Sequence, residues 1–132
     1  MMIDIDDFKQ INDNFGHTIG DRVLMALAQK CRNHIRGEDF LARYGGEEFT
    51  IILEGASLRI ALKKAREICS LIASVRYATS ESQKDDYLSM TVSIGVSQYK
   101  KGDSAGDLIE RADKALYDAK RKGKNRAVSR KS

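Results

Sequence analysis

Arg43-Tyr44-Gly45-Gly46-Glu47-Glu48-Phe49 is the most informative stretch of this chain. Phe40 to Tyr44 and Glu48 to Leu53 are β-rich runs, and the two glycines between them tolerate the positive φ angles of a tight hairpin. The pattern predicts two antiparallel strands with Glu47 at or just past the turn. Adjacent side chains in a strand point to opposite faces, so both acids serve one site only if the turn brings them together. Without side chains, Gly45 and Gly46 also let a phosphate approach the backbone amides.

Upstream, Met1 to Ile5 predicts a short strand with Ile3 and Ile5 on one face and Met2, Asp4 and Asp6 on the other. Asp6 is placed to cap a helix carrying Phe8, Ile11 and Phe15 on its apolar side, with Lys9 and Asn12 sharing a different face at i, i+3 spacing. Gly16-His17-Thr18-Ile19-Gly20 breaks that helix. A longer one is expected from about Asp21 to Ile35, with Val23, Leu24, Leu27, Cys31 and Ile35 as its stripe and Gly37 as its end.

Downstream, Ser57 to about Tyr77 has helical periodicity in Leu58, Ala61, Leu62, Ala65, Ile68, Cys69 and Ile72. Thr79 to Asp86 is polar and reads as a mobile loop. Leu88 to Ser97 is β-rich, with Gly95 marking a bulge or a close approach. Ala105 to Lys122 reads as the last helix and Asn125 to Ser129 as a closing strand. The order strand, helix, helix, strand, strand, helix, strand, helix, strand predicts a sheet covered by helices, in the α/β or α+β class.

The 132 residues suit one domain. No apolar run approaches the ~20 residues of a membrane span, and no leader opens the chain, so the segment is expected to be soluble. Cys31 and Cys69 lie in helical pattern without metal-ligand spacing, which predicts buried reduced thiols in a reducing cytoplasm. The net charge of +4 owes much to Lys120-Arg121-Lys122-Gly123-Lys124-Asn125-Arg126 and Arg130-Lys131. A local basic cluster without interleaved aromatics fits phosphate contacts or a solvated tail better than a nucleic-acid face. His17, between Gly16 and Thr18, reads as a structural hydrogen-bonding residue with no catalytic role.

Chemistry concentrates where the opening strand meets the hairpin. If the two lie side by side, Asp4 converges with Glu47 and Glu48 to give hard oxygen ligands of the kind Mg²⁺ accepts along with substrate phosphates. Singly, each acid would be a solvated surface carboxylate. The constellation is what carries the signal.

Asp4-Ile5-Asp6-Asp7-Phe8-Lys9-Gln10-Ile11-Asn12-Asp13, Gly16-His17, Gly20-Asp21, Arg43 to Phe49, Ser93-Ile94-Gly95-Val96 and Ala112 to Lys120 followed by Gly123-Lys124-Asn125 together resemble the GGDEF family of bacterial diguanylate cyclases. The resemblance covers nearly the whole chain, 1–132 reading as one such domain. It implies a fold similar to the palm of nucleotide polymerases and nucleotidyl cyclases. The implied activity condenses two GTP molecules into cyclic di-GMP and pyrophosphate, each 3′-hydroxyl attacking the α-phosphate of the other nucleotide.

Carried over by position, Asp4, the carbonyl of Ile5 and Glu47 would bind Mg²⁺ or Mn²⁺ with help from Glu48, and one of the two glutamates would deprotonate the hydroxyl. Phosphoryl transfer needs charge neutralisation and in-line positioning more than covalent help, in keeping with this set. Asn12 and Asp21 would read the guanine edge, although on sequence alone a helix N-cap explains Asp21 better and both roles can coexist. Phe8, Lys9, Gly45, Gly46, Lys120 and Lys124 would line the substrate site. Lys124 stands where the family often has Arg, keeping the charge but losing a bidentate fork. Arg36-Gly37-Glu38-Asp39 matches the family's RxxD product-inhibition motif, with Arg66 as a candidate second arginine.

Family domains usually begin about thirty residues earlier, with a helix that walls the guanine pocket, so the resemblance implies an N-terminally truncated domain. Each domain holds one GTP, so a second GGDEF domain is the implied catalytic partner, with an upstream sensor or regulatory domain in a parent protein that is free to carry a membrane anchor. Two alternatives remain open at this level. One is a cyclic di-GMP receptor that uses Arg36 and Asp39 with little or no synthesis; the other is a related cyclase making a different cyclic dinucleotide, which Asp21 disfavours by accepting from guanine N–H groups.

Overall fold

A computed structural model describes residues 1–79 and 87–132. Most of the loop expected at 79–86 therefore lies outside the described residues. The elements are β1 (Met2–Ile5), α1 (Phe8–Phe15), α2 (His17–Asn33), β2 (Phe40–Gly45), β3 (Glu48–Ile52), α3 (Leu58–Ser74), β4 (Arg76–Ala78), β5 (Tyr87–Ser89), β6 (Val92–Val96), α4 (Ala105–Arg121) and β7 (Arg126–Ser129). Five strands form a sheet in the order β2-β3-β1-β6-β7, and β4 and β5 pair separately. All neighbours in the main sheet are antiparallel except β6 and β7. The mixed sheet with flanking helices is the α+β architecture expected.

Alternation along the strands sorts the two faces. Ile3, Ile5, Phe49, Ile51, Val92, Ile94 and Val96 join residues of α2 and α3 in the main core. Met2 packs on the other face against Ala112 and Leu116 of α4. Helix α4 contacts β1, β6 and β7, whereas the registered pair Phe40 and Ile52 at the β2–β3 end stays exposed. The α4 face of the sheet is thus open beside β3, which is where an acidic corner can meet a ligand.

Several local expectations need correction. Asp6 does not cap α1: the residue at that position is Asp7, at φ 56°, without a side-chain cap bond. The break between α1 and α2 is confined to Gly16, at φ 88° and ψ 163°, and His17 already opens the next helix. Asp21 lies inside α2, so the N-cap explanation for it falls away. Helix α2 ends at Asn33, ahead of Ile35 and Gly37, and α3 ends at Ser74, leaving Tyr77 to the short strand β4. Ser57 caps α3 through the Ile60 N–H, and Ser104 with Asp107 forms a reciprocal capping box on α4.

Gly95 is a close approach and not a bulge. A Cβ there would overlap the Ala112 carbonyl oxygen and the Leu116 nitrogen and lie 2.8 Å from Leu116 Cα. Its absence lets the α4 backbone lie directly on β6. Cys31 and Cys69 are buried free thiols, each pushed up to about 12 by burial. Among the described residues, no helix is long and apolar enough to cross a membrane.

Candidate active site

The register of β1 against β3 makes Asp4 the direct cross-strand partner of Glu48. Paired residues in an antiparallel ladder share a face, so both acids project to the α4 side. The hairpin between them and solvent is tight: Gly45 pairs with Glu48 across Gly46 and Glu47, after a register irregularity between Arg43 and Gly45. Gly46 takes φ 40°, and Arg43 holds the turn from outside by donating Nε and Nη2 to the Gly46 carbonyl at 2.9 and 2.6 Å. Glu47 sits at the tip, and its charge reaches both Asp4 and Glu48.

Electrostatically the corner is short of positive charge. Burial, opposed by Lys120 and reinforced by Glu47 and Asp6, holds the Asp4 carboxyl above its ordinary range. Glu48 is raised as well, first by burial and then by Asp4 and Asp113. Lys120, from the last turn of α4, reaches across the sheet to pair with Asp4 Oδ2. The other oxygen, Asp4 Oδ1, is buried without a hydrogen-bond partner. Such an orphan acceptor among mutually repelling carboxylates fits a hard divalent cation. No group of three acidic, His or Cys side chains among the described residues forms a ready-made cage. Two or three protein oxygens with the rest from phosphates and water is the arrangement Mg²⁺ accepts.

The β1–α1 turn forms the adjoining wall. The Phe8 ring is buried in the core, so what Phe8 presents outward is its backbone at the first turn of α1. The N–H groups of a first turn have no intrahelical partner and attract anions. Lys9 is exposed beside them. Lys124 Nζ lies 2.6 Å from Asp7 Oδ1 at the same helix end, and that contact raises the Lys124 ammonium above its ordinary value. The Ile5 side chain is in the core, which leaves only its carbonyl for any ligand.

Asn12 and Asp21 meet at the α1–α2 junction. Asn12 Oδ1 is a second buried acceptor without a partner, and a Cβ on Gly20 would overlap it. Asp21 follows immediately on α2 and is exposed. Gly20 is therefore needed for contact with Asn12 and not as a helix breaker.

Arg36 and Asp39 are brought together at the far side of β2. Asp39 accepts the Arg36 N–H at 2.9 Å and the Glu54 N–H at 3.2 Å, while Arg36 Nη2 donates to the Glu54 carbonyl at 3.0 Å. Burial pushes the Asp39 carboxyl up, but the hydrogen bonds from Arg36 and Glu54 outweigh it and hold the group below its usual range. Arg66 is exposed on α3 and makes no hydrogen bond or ion pair with either. Sequence reasoning missed Asp113, whose charge acts on Glu48, and the true role of Asp6, whose partners lie on β6 and in the α4–β7 turn.

A helix-flanked mixed sheet thus sets paired acids beside a glycine turn and a helix N-terminus. Residues 1–126 match the family model described as diguanylate cyclase, GGDEF domain, and the chain belongs to that family. It is 42% identical over 126 residues to diguanylate cyclase DgcP of Pseudomonas aeruginosa, covering 95% of this chain and 18% of that protein. Its structure matches the coiled coil and GGDEF domain of DgcB from Caulobacter crescentus in complex with c-di-GMP, with a TM-score of 0.92 and 35% identity over 98% of this chain and 67% of that one. The active GGEEF domain of a diguanylate cyclase from Vibrio cholerae matches with a TM-score of 0.87 and 40% identity over 99% of this chain and 81% of that one. The chain spans well under half the length of such curated relatives, 18% of one and 38% of another.

Proposed function

We propose that the chain is a diguanylate cyclase half-site: two copies, each holding one GTP, join each 3′-oxygen to the other nucleotide's α-phosphorus. Each new P–O bond replaces a bond to pyrophosphate, giving cyclic di-GMP and two pyrophosphates. The observation carrying this reading is the cross-strand pair Asp4 and Glu48, with Asp4 Oδ1 buried and unpartnered beside the Gly45-Gly46 turn.

Asp4, the Ile5 carbonyl, Glu47 and Glu48 would hold Mg²⁺ or Mn²⁺, which when bound neutralises charge on the triphosphate and the departing pyrophosphate. Lys120 and Lys124 stand over Asp4 and Asp7 with ammonium groups for phosphate oxygens. Lys9 and the first-turn amides of α1 at Phe8 and Lys9 supply further donors, and Gly45 and Gly46 keep the approach to the turn free of side chains. Asn12 and Asp21 take the guanine edge: the carboxamide matches its acceptor and the exposed carboxylate accepts from its N–H groups. Glu48, its proton held more tightly by burial and by Asp4, is suited to receive the hydroxyl proton, with Glu47 the other candidate. Arg36 and Asp39, with Arg66, form the product-inhibition site, the Arg36 side chain being 59% exposed and open to a guanine. A second GGDEF domain completes catalysis, an upstream regulatory domain in the parent protein brings the two together, and the GTP-supplied cytoplasm is the compartment.

Incubation with GTP and Mg²⁺ followed by chromatography tests this. Cyclic di-GMP and pyrophosphate should form in a 1:2 ratio, and Asp4→Asn should lower the yield by about 100-fold. Cyclic di-GMP binding without synthesis at any protein concentration would instead support a receptor. A mixed product when ATP is offered with GTP would support the related cyclase.

A further inference from the structure

The buried carboxylate of Asp6 has no part in the roles given above, yet three donors converge on it. Oδ1 accepts the Ser93 hydroxyl at 2.6 Å, and Oδ2 accepts the Thr91 hydroxyl at 2.6 Å and the Asn125 N–H at 2.9 Å. Its own N–H donates to the Thr91 carbonyl at 2.9 Å. Asp6 is 6% exposed and lies in the turn that follows β1. Its oxygens turn toward β6 and the α4–β7 turn, and every one of those partners is more than eighty residues away in sequence.

The turn it holds is unusual. Gly123, Lys124 and Asn125 all have positive φ, at 121°, 64° and 48°. Left-handed backbone is unfavourable for Lys124 and persists there only where surroundings impose it, whereas Asn125 is of a residue type that tolerates it. On the α4 side, the Gly123 and Lys124 N–H groups close onto Lys120 and Ala119 carbonyls, and on the sheet side the Asn125 N–H closes onto Asp6. Lys124 is thereby suspended between two anchors, with its ammonium delivered to Asp7 at the N-terminus of α1.

We infer that Asp6 is a positioning residue for the triphosphate site: its buried carboxylate latches the 123–125 turn to the β1–α1 connection and so fixes the Lys124 ammonium at the first turn of α1. The inference rests on the cyclase reading for the identity of the ligand but on this geometry for the device. A carboxylate is required because three donors converge on it. An Asn at this place keeps the shape but presents an amide NH₂ on one side, so at least one of the three bonds must be lost or reversed. Even where the Ser93 bond simply reverses, the Asn125 N–H meets a neutral and weaker acceptor, so the turn is held less firmly and Lys124 moves away from α1.

The test is a thermodynamic cycle read by binding. Calorimetry with a non-hydrolysable GTP analogue and Mg²⁺ is run on the parent, Asp6→Asn, Lys124→Ala and the double variant, with amide hydrogen exchange at Asn125. Asp6→Asn should weaken binding about tenfold, the scale of one charge-assisted contact, and the double variant should be no weaker than the weaker single one. Asn125 exchange should accelerate in Asp6→Asn. Thr91→Val removes one donor and leaves the carboxylate in place; it should shift both readouts the same way by less, and it carries the test if Asp6→Asn does not fold. Losses that multiply in the double variant, or unchanged affinity with Asn125 still protected, would overturn the latch. A parent that binds no nucleotide would overturn the cyclase reading and the positioning role with it, so the two failures are distinguishable.

Discussion

Gly95→Ala is the substitution whose cost the packing defines most sharply. The new methyl would lie 2.8 Å from Leu116 Cα and overlap the Ala112 oxygen and the Leu116 nitrogen, whereas nonbonded carbons rest at about 3.5–4.0 Å. All three obstacles are α4 backbone, so no rotamer change relieves them and the helix must recede by roughly 1 Å from β6. Overpacking that moves backbone falls at the upper end of the usual range, about 3 kcal/mol. For a chain of this size that corresponds to a fall of about 10 °C in Tm. Urea unfolding followed by circular dichroism gives the value, with Gly37→Ala as the control. Gly37 has open space around it and no positive φ, so its replacement should change stability by no more than about 1 kcal/mol in either direction. Because α4 also carries Lys120, Gly95→Ala should weaken nucleotide binding in parallel. A Gly95→Ala protein as stable as the Gly37→Ala protein would refute direct packing of α4 on β6.

Glu48→Gln should make the domain more stable while abolishing synthesis. A carboxyl raised in the folded chain binds its proton more tightly there than when unfolded, so stability falls as pH rises from the ordinary Glu range through the raised value and stays lower above it. Removing the charge should return about 0.5–1 kcal/mol at pH 7 and flatten that part of the pH profile in urea titrations; a less stable variant at neutral pH would contradict it. Arg36→Ala and Asp39→Ala should separate inhibition from stability. Both should relieve product inhibition, but only Asp39→Ala, which strips an acceptor from the Arg36 and Glu54 N–H groups, should cost about 1–3 kcal/mol, while Arg36→Ala stays within about 0.5 kcal/mol. Equal losses of stability in the two would contradict this division.

The parts legible in the sequence were those fixed by short-range pattern. The Gly45-Gly46 hairpin, the alternation of β1 and the periodicity of α3 need only local spacing, whereas the pairing of β1 with β3 that brings Asp4 beside Glu48 is tertiary and entered the sequence reading only as a condition. Asp6 was misread because its position before a helix suggests a cap, whereas its partners lie across the fold. The N-cap reading of Asp21 fails for a related reason. Gly20 looks like a helix breaker, but its missing side chain makes room for Asn12, and that demand is tertiary. Strands β4 and β5, three residues each, are too short for periodicity to reveal. The positive φ of Lys124 has no local signal of its own between Gly123 and Asn125, since it is imposed by the contacts that hold the turn.

The half-site claim is tested most directly by the order of the reaction. Initial rates of cyclic di-GMP formation at saturating GTP and Mg²⁺ should be measured over a protein series from well below to well above the concentration at which copies associate. Two apposed half-sites predict slow synthesis at low concentration and a specific activity that climbs with protein concentration before levelling off. Rapid turnover with a specific activity independent of protein concentration, under conditions where the chain is monomeric, would contradict it.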